Sequence, residues 1–492
     1  MKKAFILLCL AAGLLSCAKE IAPQEETKGV PMTFEFSVDG QTKASKTAWT
    51  DIDVIYVFFK GLETKHLMLT YDSATQKWTP HVEPGDASLT DEDFDGLTEH
   101  TLTAVYYPTP VYVTYDAEKG FFNIDTDAAG TLCYNYYLFE EDKAYEVEGT
   151  TVTARIALAK AEDFVQIHLP CNTTEVGGTF GCSLIRPVAC AGVGVDGKII
   201  EKKLQAGARL KGIADADGLL FAGRLTSPGT AEDYTFTFAT DNEIYTLLRD
   251  SKTLEAGKQY NFPALSETDW TVTDAADLYV DLGLSVKWAK CNLGAATEED
   301  YGDYFAWAEI QPKDDYSWST YAWMKEGRDD WQYITKYTIA DGRTVGIWYE
   351  GETFVGDGKT SLADYDYADD AAYAALGGKF RMPTKAEMTE LKSDCTWTYE
   401  ESHNGTGIKG FLVTSKKEGY TDKSIFIPLA GAMSGGTHMS DAAGKSVGVY
   451  FSGSLDETNL SGAWAMQILD HLSPAVFSGN RPVGFSIRPV CQ

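Results

Sequence analysis

The chain has 492 residues, 44 % of them hydrophobic and 23 % charged, and its formal net charge is −30 at pH 7. This length exceeds what a single hydrophobic core serves and indicates about three globular units of ordinary size. A surface this acidic repels phosphate backbones, and the sequence has no basic patch to offset it, so we expect no nucleic-acid partner.

The N-terminus has the organisation of an export signal. Lys2 and Lys3 precede an apolar run, Ala4 to Leu15, which is too short to cross a bilayer as a permanent helix. Leu15-Ser16-Cys17 ends this run and resembles the lipobox of bacterial lipoproteins. The resemblance implies that residues 1–16 are a signal peptide and that the thiol of Cys17 is lipidated. An ordinary signal peptide with a chance cysteine is the alternative.

Residues 17–30 are polar and lack apolar periodicity, which indicates a flexible tether between the lipid and the folded body. Lys19-Glu20, close behind the lipidated cysteine, resembles the export tag of surface lipoproteins in the Bacteroidetes. We therefore expect an outer-membrane lipoprotein that faces the cell exterior and contacts the membrane through its lipid only.

From Thr33 onward the sequence alternates with a period of two, which is typical of β-strands. The clearest runs are Thr33–Val38, Asp53–Phe59, Leu102–Tyr107, Val111–Tyr115, Phe164–Leu169 and Tyr234–Phe238. Turns containing Gly, Pro and Asp separate these runs, and few stretches before residue 265 have a helical period. Many short strands divided by such turns predict β-sandwiches.

Two segments of this β-rich part carry a more specific pattern. Thr42-Lys43 to Asp51 is followed at once by the run at Val54, and Leu254 to Phe262 is followed by Trp270. Both resemble segments of the fimbrillin family of Bacteroidetes surface lipoproteins. The resemblance covers residues 31–265 and implies two transthyretin-like β-sandwiches, in residues 31–148 and 149–270.

The third unit, residues 277–492, contains five distinctive motifs. They lie at Tyr279–Ala295, Tyr301–Glu309, Phe380–Glu387, Ser424–Gly431 and Arg481–Val490. In this order they resemble the Fibrobacter succinogenes major paralogous domain, which has a C-type-lectin-like fold. The expected fold class is therefore mainly β with a C-terminal α+β unit: two transthyretin-like sandwiches followed by a C-type-lectin-like domain.

Local signals place a helix in the third of these motifs. Thr384 can cap a helix that begins at the next residue, and Glu387 completes a capping box. Met388 and Leu391 then lie on one face of that helix, where they can enter a core.

Cysteine and histidine spacing offers no metal site, since neither CxxC nor HxxxH occurs. The acidic segment 357–370 lacks the spacing of a calcium loop, so we expect no metal and no cofactor. Cys291 and Cys395 lie in the third unit, and a cross-link stabilises an exported, loop-rich domain. We predict a disulfide between them; two buried free thiols are the alternative.

Eight of the eleven tryptophans lie in the third unit. Trp318, Trp323, Trp331 and Trp348 fall in a polar, Asp/Tyr-rich region that we interpret as inserted loops. Exposed aromatic rings there can stack on sugar faces or anchor a protein contact. The alternative is that these rings pin long loops to their own domain.

The segment from Gly435 to Asn480 is rich in Gly, Ser, His and Asn. In C-type-lectin-like domains the last third supplies the ligand-facing loops, and small polar and aromatic residues suit adaptable binding loops. We predict the recognition surface here, with His438, Tyr450, Trp464 and Asn480 as candidate ligand contacts.

No catalytic site is predicted. Glu387 and Glu390, three residues apart on a helix, are typical of a solvated face. Formylglycine-generating enzymes share the C-type-lectin-like fold but rely on a close cysteine pair late in the domain, whereas Cys491 has no cysteine near it in sequence.

These observations favour a surface adhesin in which the sandwiches display a non-catalytic binding domain for a glycan or protein on another cell or host surface. The alternative is a fimbrial tip or accessory subunit that joins other fimbrial subunits by strand exchange; a glycan-active enzyme is a distant third. Fimbrillin activation often cleaves after Arg, and the first arginine here is Arg155, inside the predicted sandwiches. Cys17 is therefore expected to be a lasting anchor.

Overall fold

A computed structural model describes most of the chain beyond residue 31. The described residues are 32–38, 49–51, 53–81, 89–107, 110–117, 120–127, 138–148, 151–158, 164–171, 178–215, 218–225, 230–255, 258–339, 348–349, 351, 354–442 and 444–492. The predicted signal peptide, the tether and the lipidation site Cys17 lie outside these ranges. The described residues are mainly β, as the sequence predicts. Among their helices, none has the length and apolar character that crossing a membrane requires.

The described residues of the first part of the chain form short strands and a short helix. Within residues 32–158 these are β1 (Met32–Val38), β2 (Val54–Phe59), β3 (Leu67–Asp72), β4 (Lys77–His81), α1 (Asp91–Asp95), β5 (Thr101–Tyr107), β6 (Val111–Asp116), β7 (Phe121–Asp127), β8 (Leu138–Ala144), β9 (Glu146–Glu148) and β10 (Thr151–Leu158).

The first core is organised around β2, in which every residue is buried. This strand lies inside a five-stranded sheet of order β4-β3-β2-β5-β8. A fully buried strand needs apolar residues on both faces, which the sequence Val-Ile-Tyr-Val-Phe-Phe supplies. β1 lies at the edge of a separate sheet and pairs in parallel with β10.

The described residues of the next part of the chain form strands. Within residues 164–274 these are β11 (Phe164–Pro170), β12 (Thr179–Cys182), β13 (Ile185–Arg186), β14 (Val188–Gly194), β15 (Ile199–Lys203), β16 (Leu210–Lys211), β17 (Ile213–Asp215), β18 (Gly218–Leu225), β19 (Glu232–Ala239), β20 (Glu243–Lys252), β21 (Gln259–Asn261) and β22 (Thr271–Asp274).

The first core extends past the predicted boundary at residues 148 and 149, so that boundary is wrong. β10 contributes Val152 and Ile156 to the first core, and β14 contributes Cys190 and Val193. β14 reaches this core because it pairs with β7 in a sheet of order β15-β14-β7-β6. The chain therefore enters the second core at β11, returns to the first through β14 and β15, and leaves it again.

The second core lies between two sheets, of order β13-β18-β11-β21 and β16-β12-β19-β20-β22. Phenylalanine rings from both sheets meet there: Phe180 on β12 lies 4.9 Å from Phe221 on β18, measured between ring centroids. Trp270 closes one end, and its indole N–H donates to the carbonyl of Pro263 at 3.1 Å. Rings that pack at such distances stabilise a sandwich beyond their buried area.

The third unit mixes short strands with helices. Within residues 275–492 these are β23 (Tyr279–Val280), β24 (Lys287–Ala289), α2 (Ala371–Leu376), β25 (Phe380–Arg381), α3 (Lys385–Asp394), β26 (Cys395–Glu400), β27 (Gly410–Ser415), β28 (Ser424–Pro428), β29 (Ala432–Ser434), β30 (Thr437–Met439), β31 (Asp441–Ala442), β32 (Lys445–Leu455), β33 (Gly462–Leu469), β34 (Ala475–Asn480) and β35 (Val490–Cys491), with 3-10 turns at 275–278, 318–320, 331–333, 362–365 and 403–405.

The two ends of the third unit meet in one sheet, of order β23-β24-β35-β25. Arg488, just before β35, is 1 % exposed and donates to Asn292 Oδ1 at 2.9 Å and to the carbonyl of Phe426 at 2.9 Å. A buried guanidinium has five N–H donors and can therefore form hydrogen bonds with acceptors from several chain segments at once. It joins the opening motif of this unit to its last one.

The predicted capping box on α3 is confirmed. The Thr384 hydroxyl accepts from the backbone N–H of Glu387 at 3.2 Å, and the Glu387 carboxylate accepts from the backbone N–H of Thr384 at 2.7 Å. Met388 and Leu391 are buried, as predicted. The Glu387 carboxylate also forms a two-bond ion pair with Arg381, at 2.6 and 2.8 Å.

A buried arginine joins the second unit to the third. Arg209, 8 % exposed, donates to the carbonyls of Tyr373 at 2.8 Å and Ala375 at 3.0 Å near the end of α2. It also donates to the carbonyl of Thr179, in the second unit, at 3.1 Å. The Tyr373 carbonyl also accepts from the backbone N–H of Gly377 at 2.8 Å, whereas the Ala375 carbonyl lies in the last turn of the helix, where carbonyls lack intrahelical partners and favour a cation. Gly377 permits the close approach, since a Cβ there would lie 2.5 Å from the Ala239 side chain.

A glutamine extends the same interface. The Gln205 side chain donates to the carbonyl of Ala308 at 2.8 Å and accepts from the backbone N–H of Ile310 at 3.0 Å. Its neighbours Leu204 and Ala208 are buried in a core of the third unit. These contacts fix the orientation of the third unit on the second.

Replacing Arg209 with Ala removes its hydrogen bonds across the interface and leaves the Ala375 carbonyl without this donor. We therefore expect the second and third units to lose about 3 kcal/mol of unfolding free energy. Urea unfolding followed by circular dichroism measures this loss. The matched control is Arg249→Ala, whose ion pair with Asp269 is half-exposed and is worth about 0.5 kcal/mol. Equally small losses of unfolding free energy in both variants would show that Arg209 does not stabilise the interface between the second and third units.

Acidification should weaken the Glu387 contacts. Burial raises the pKa of the Glu387 carboxyl, but hydrogen bonds from Arg381 and Thr384 outweigh it, so this pKa lies below the usual 4.5. The ionised carboxylate therefore contributes its full stabilisation above pH 4.5, and this stabilisation is lost as the pH falls through the pKa of the folded state. We expect Glu387→Gln to cost about 2 kcal/mol at pH 7 and progressively less below pH 4.5. Unfolding free energies across this range, with the exposed Glu457→Gln as control, check the trend.

Candidate functional site

Aromatic residues of the described segments 304–339 and 348–349 pack into a cluster rather than standing open to solvent. Trp318, Trp323 and Trp331 are half-buried in this cluster, and Trp348 is fully buried at 0 % exposure. The expectation of an exposed ring is therefore wrong for Trp348, because its ring packs inside the cluster. Trp318 meets Tyr321 edge-on, with 5.7 Å between ring centroids.

Trp323 shows how these rings hold their loops. Its indole N–H donates to the carbonyl of Ala308 at 2.8 Å, and the Lys336 ammonium lies 4.3 Å from its ring centroid. Lys336 in turn pairs with the buried carboxylate of Asp369. These contacts favour the alternative reading, in which the tryptophans pin inserted segments to their own domain.

Tyr450 belongs to the core. It is 3 % exposed, its hydroxyl donates to the carbonyl of Pro428 at 2.5 Å, and burial raises its pKa to about 12. The prediction of Tyr450 as a ligand contact is therefore wrong. The period of two in β32 shows that its side chains alternate, but does not tell which face is covered.

The remaining candidates of the predicted recognition segment lie at separate places. His438, on the exposed strand β30, contacts the Tyr304 hydroxyl at 2.9 Å and the Ala430 carbonyl at 3.0 Å through Nε2. Trp464 on β33 is half-buried, with the Lys385 ammonium 3.1 Å above its ring. Asn480 is exposed at the end of β34.

A cavity of about 320 Å³ opens beside Asn480. We call it the hairpin cavity, because the hairpin β29–β30 forms one wall. One face of the β32–β33–β34 sheet forms its floor. Its lining consists of Ala432, Met439, Asp441, Ala442, Val447, Val449, Gln467, Phe477, Ser478, Gly479, Asn480, Val483 and Phe485. Trp464 lies on the other face of that sheet, since it is out of phase with Gln467 along β33.

The hairpin cavity has the chemistry of a ligand site. Its floor is apolar, while Gln467 and Asn480 supply amide donors and acceptors and Asp441 a carboxylate. Met439 stands at the wall with 40 % of its surface exposed. A concave apolar site with few polar groups can enclose a small ligand group and orient it, and a methionine adapts to its shape.

Most of this lining was not predicted from the sequence. The composition of the segment indicated Asn480 but neither Met439 nor Phe477. The alternation of Val447 and Val449 on β32 was a usable signal for the floor, since these residues share one face. The wall needed the position of the hairpin, which no local pattern specifies.

The predicted Cys291–Cys395 disulfide is not formed, and both thiols are free. Cys395 begins β26 and is buried beside Met388 and Leu391. Cys291 lies elsewhere, near the charges of Arg488 and Glu298. Burial raises the pKa of both thiols, so neither is activated as a nucleophile.

One segment matches the sequence motif of a serine hydrolase, but its structure differs from that of the motif. Gly444-Lys445-Ser446-Val447-Gly448 matches G-x-S-x-G by letter. A nucleophile elbow needs a sharp turn from strand to helix, whereas Ser446 lies within β32, paired with β31 on one side. The Ser446 side chain is therefore not presented as in that motif.

Comparisons with known proteins give weak structural similarities. Neither a family model nor a curated protein matches the chain. A Bacteroides ovatus structure described as a cell adhesion protein matches with 13 % identity and a TM-score of 0.27, over 51 % of this chain and 96 % of its own. A fimbrial protein of the same organism matches with 10 % identity and a TM-score of 0.20, over 94 % of this chain and 99 % of its own. A third structure from this organism, described as an adhesin, has 6 % identity and a TM-score of 0.20, over 54 % of this chain and 89 % of its own. We assign no family from these values.

Proposed function

We propose that this protein is a surface adhesin whose third unit binds a glycan or protein ligand at the hairpin cavity. The supporting observation is the cavity itself, an apolar hollow with Met439 and Asn480 accessible at its edge. It lies in the segment where the resemblance to C-type-lectin-like domains implies ligand-facing loops. The proposed binding needs neither catalysis nor nucleic acid, and Cys17 would carry the lipid that holds the protein to the outer membrane.

The attachment of the third unit to the second suits the display of a binding site. Arg209 and Gln205 tie this unit to the second sandwich through hydrogen bonds to backbone groups. A binding site on a rigid support loses less orientational freedom when it meets a ligand on another surface. The two sandwiches would then serve as the stalk between the lipid and the ligand.

Binding of the full-length chain to an array of glycans and host-surface proteins tests this proposal. We expect Met439→Ala combined with Asn480→Ala to weaken capture at least about tenfold, which corresponds to roughly 1.4 kcal/mol. Leu248→Ala is the matched control, since Leu248 is an exposed apolar residue of the second unit, 63 % exposed. Unchanged capture by the double variant would exclude the hairpin cavity as the ligand-binding site. Turnover of an arrayed glycan would instead favour the third alternative, a glycan-active enzyme.

Strand exchange remains the second candidate, and the position of β1 is the observation that favours it. β1 lies at a sheet edge and pairs only with β10 among the described strands, so its removal would expose a partner for an incoming strand. The partner strand β10 carries Arg155, whose exposed side chain pairs with Glu35 on β1 at 2.8 Å.

Mild digestion with an Arg-specific protease separates the two candidates. Arg155 lies within a paired strand, and cleavage there requires local unfolding. We therefore expect no cleavage after Arg155 in the native chain, even where an exposed residue such as Arg328 is cut, and no polymer ladder on unheated SDS gels. Digestion of the urea-unfolded chain under the same conditions is the control. A ladder that appears after cleavage of the native chain would establish the fimbrial alternative instead.

A further inference from the structure

Away from the hairpin cavity, an imidazole and carboxylates from two distant segments converge. Glu298 and Glu299 come from the loop after β24, and His403 from the turn between β26 and β27. One ligand atom from each of the three lies within 4.8 Å of the others. His403 Nε2 lies 3.1 Å from Glu298 Oε1, close to the separation of about 3.3 Å between two ligands of a tetrahedral Zn²⁺ ion.

The ring of His403 is held in place from two sides. It is 8 % exposed and stacks on Phe426, with 3.8 Å between centroids and 4° between planes. Its Nδ1 lies 2.6 Å from the Glu400 carboxylate. In protein metal sites, a ligating histidine is oriented in this way by a carboxylate on its other nitrogen.

This arrangement leaves two acceptors facing each other. When Nδ1 donates its proton to Glu400, Nε2 presents a lone pair to the Glu298 carboxylate. Asn404 donates to Glu298 at 3.3 Å and to Glu299 at 2.8 Å, which holds both carboxylates in position. Among the described residues, no lysine or arginine forms an ion pair with Glu298, Glu299 or Glu400. A positive charge is missing between them, which either a second proton on His403 or a metal ion can supply.

We propose that His403, Glu298 and Glu299 form a binding site for a divalent cation of the Zn²⁺ type. Imidazole with carboxylate ligands suits Zn²⁺ and related first-row ions. Glu400 is the outer carboxylate that orients the histidine. Three protein ligands leave a further coordination position for water or for a group of a bound partner. The ion would also tie the loop after β24 to the β26–β27 hairpin.

Zn²⁺ titration of the full-length, chelator-stripped chain, in competition with a chromophoric chelator, tests the site. We expect one Zn²⁺ per chain and an upward shift in the melting temperature that grows with Zn²⁺ concentration. Glu298→Gln combined with Glu299→Gln should weaken binding at least about tenfold and remove the shift. Glu400→Gln should weaken it about 10- to 100-fold while leaving all three ligands in place.

The matched control is Glu401→Gln combined with His471→Ala. These residues form an exposed histidine–carboxylate pair on the same unit, 4.0 Å apart, so they measure unspecific attraction of Zn²⁺ to an acidic surface. Both glutamine variants keep the side-chain shape, and His403 with its stacking on Phe426 is left untouched. We expect this control to bind Zn²⁺ as tightly as the unchanged chain. A loss in the control as large as in the Glu298 and Glu299 variant, or binding that persists in the Glu298 and Glu299 variant, would overturn the site and leave His403 bridged by a proton only.

Discussion

The guanidinium of Arg209 lies between the end of α2 and the strands of the second sandwich, and the placement of the third unit depends on it. Burial lowers its pKa to about 10, which still leaves it charged at neutral pH. The carbonyls of Tyr373 and Ala375 therefore face a permanent cation. Since these acceptors are backbone atoms at a helix end, substitution of side chains on α2 cannot remove them.

Close packing at this interface is possible because of small residues. Gly377 has a φ of +65°, a conformation that side chains disfavour, and it also has no room for a Cβ beside Ala239. The hairpin cavity belongs to the unit that this interface orients. In the proposed adhesin, a pull on a bound ligand would reach the second sandwich through the hydrogen bonds of the Arg209 and Gln205 side chains to backbone groups.

The parts of the fold that depend on neighbours in sequence could be predicted, and the parts that depend on distant pairings could not. The capping box of Thr384 and Glu387 is local, and it forms as expected. The return of β14 to the first core is not local, because alternation marks a strand but not the sheet edge that accepts it. The burial of Tyr450 could not be predicted for the same reason. Glu298 and His403 are more than a hundred residues apart, so no spacing rule for metal ligands could connect them.

Buried charges of both signs leave the acidic excess of the chain at its surface. Arg209, Arg481 and Arg488 are nearly fully buried, and the hydrogen bonds of Arg481 and Arg488 go mainly to main-chain carbonyls rather than to carboxylates. The carboxylates of Asp369 and Asp370 are buried as well, so the burial of arginine does not by itself change the balance of charge outside. The formal net charge of −30 is therefore carried by the surface that an approaching partner meets. Such a field repels acidic glycans and favours neutral sugars or basic protein surfaces, which restricts the ligands that would suit the proposed site at the hairpin cavity.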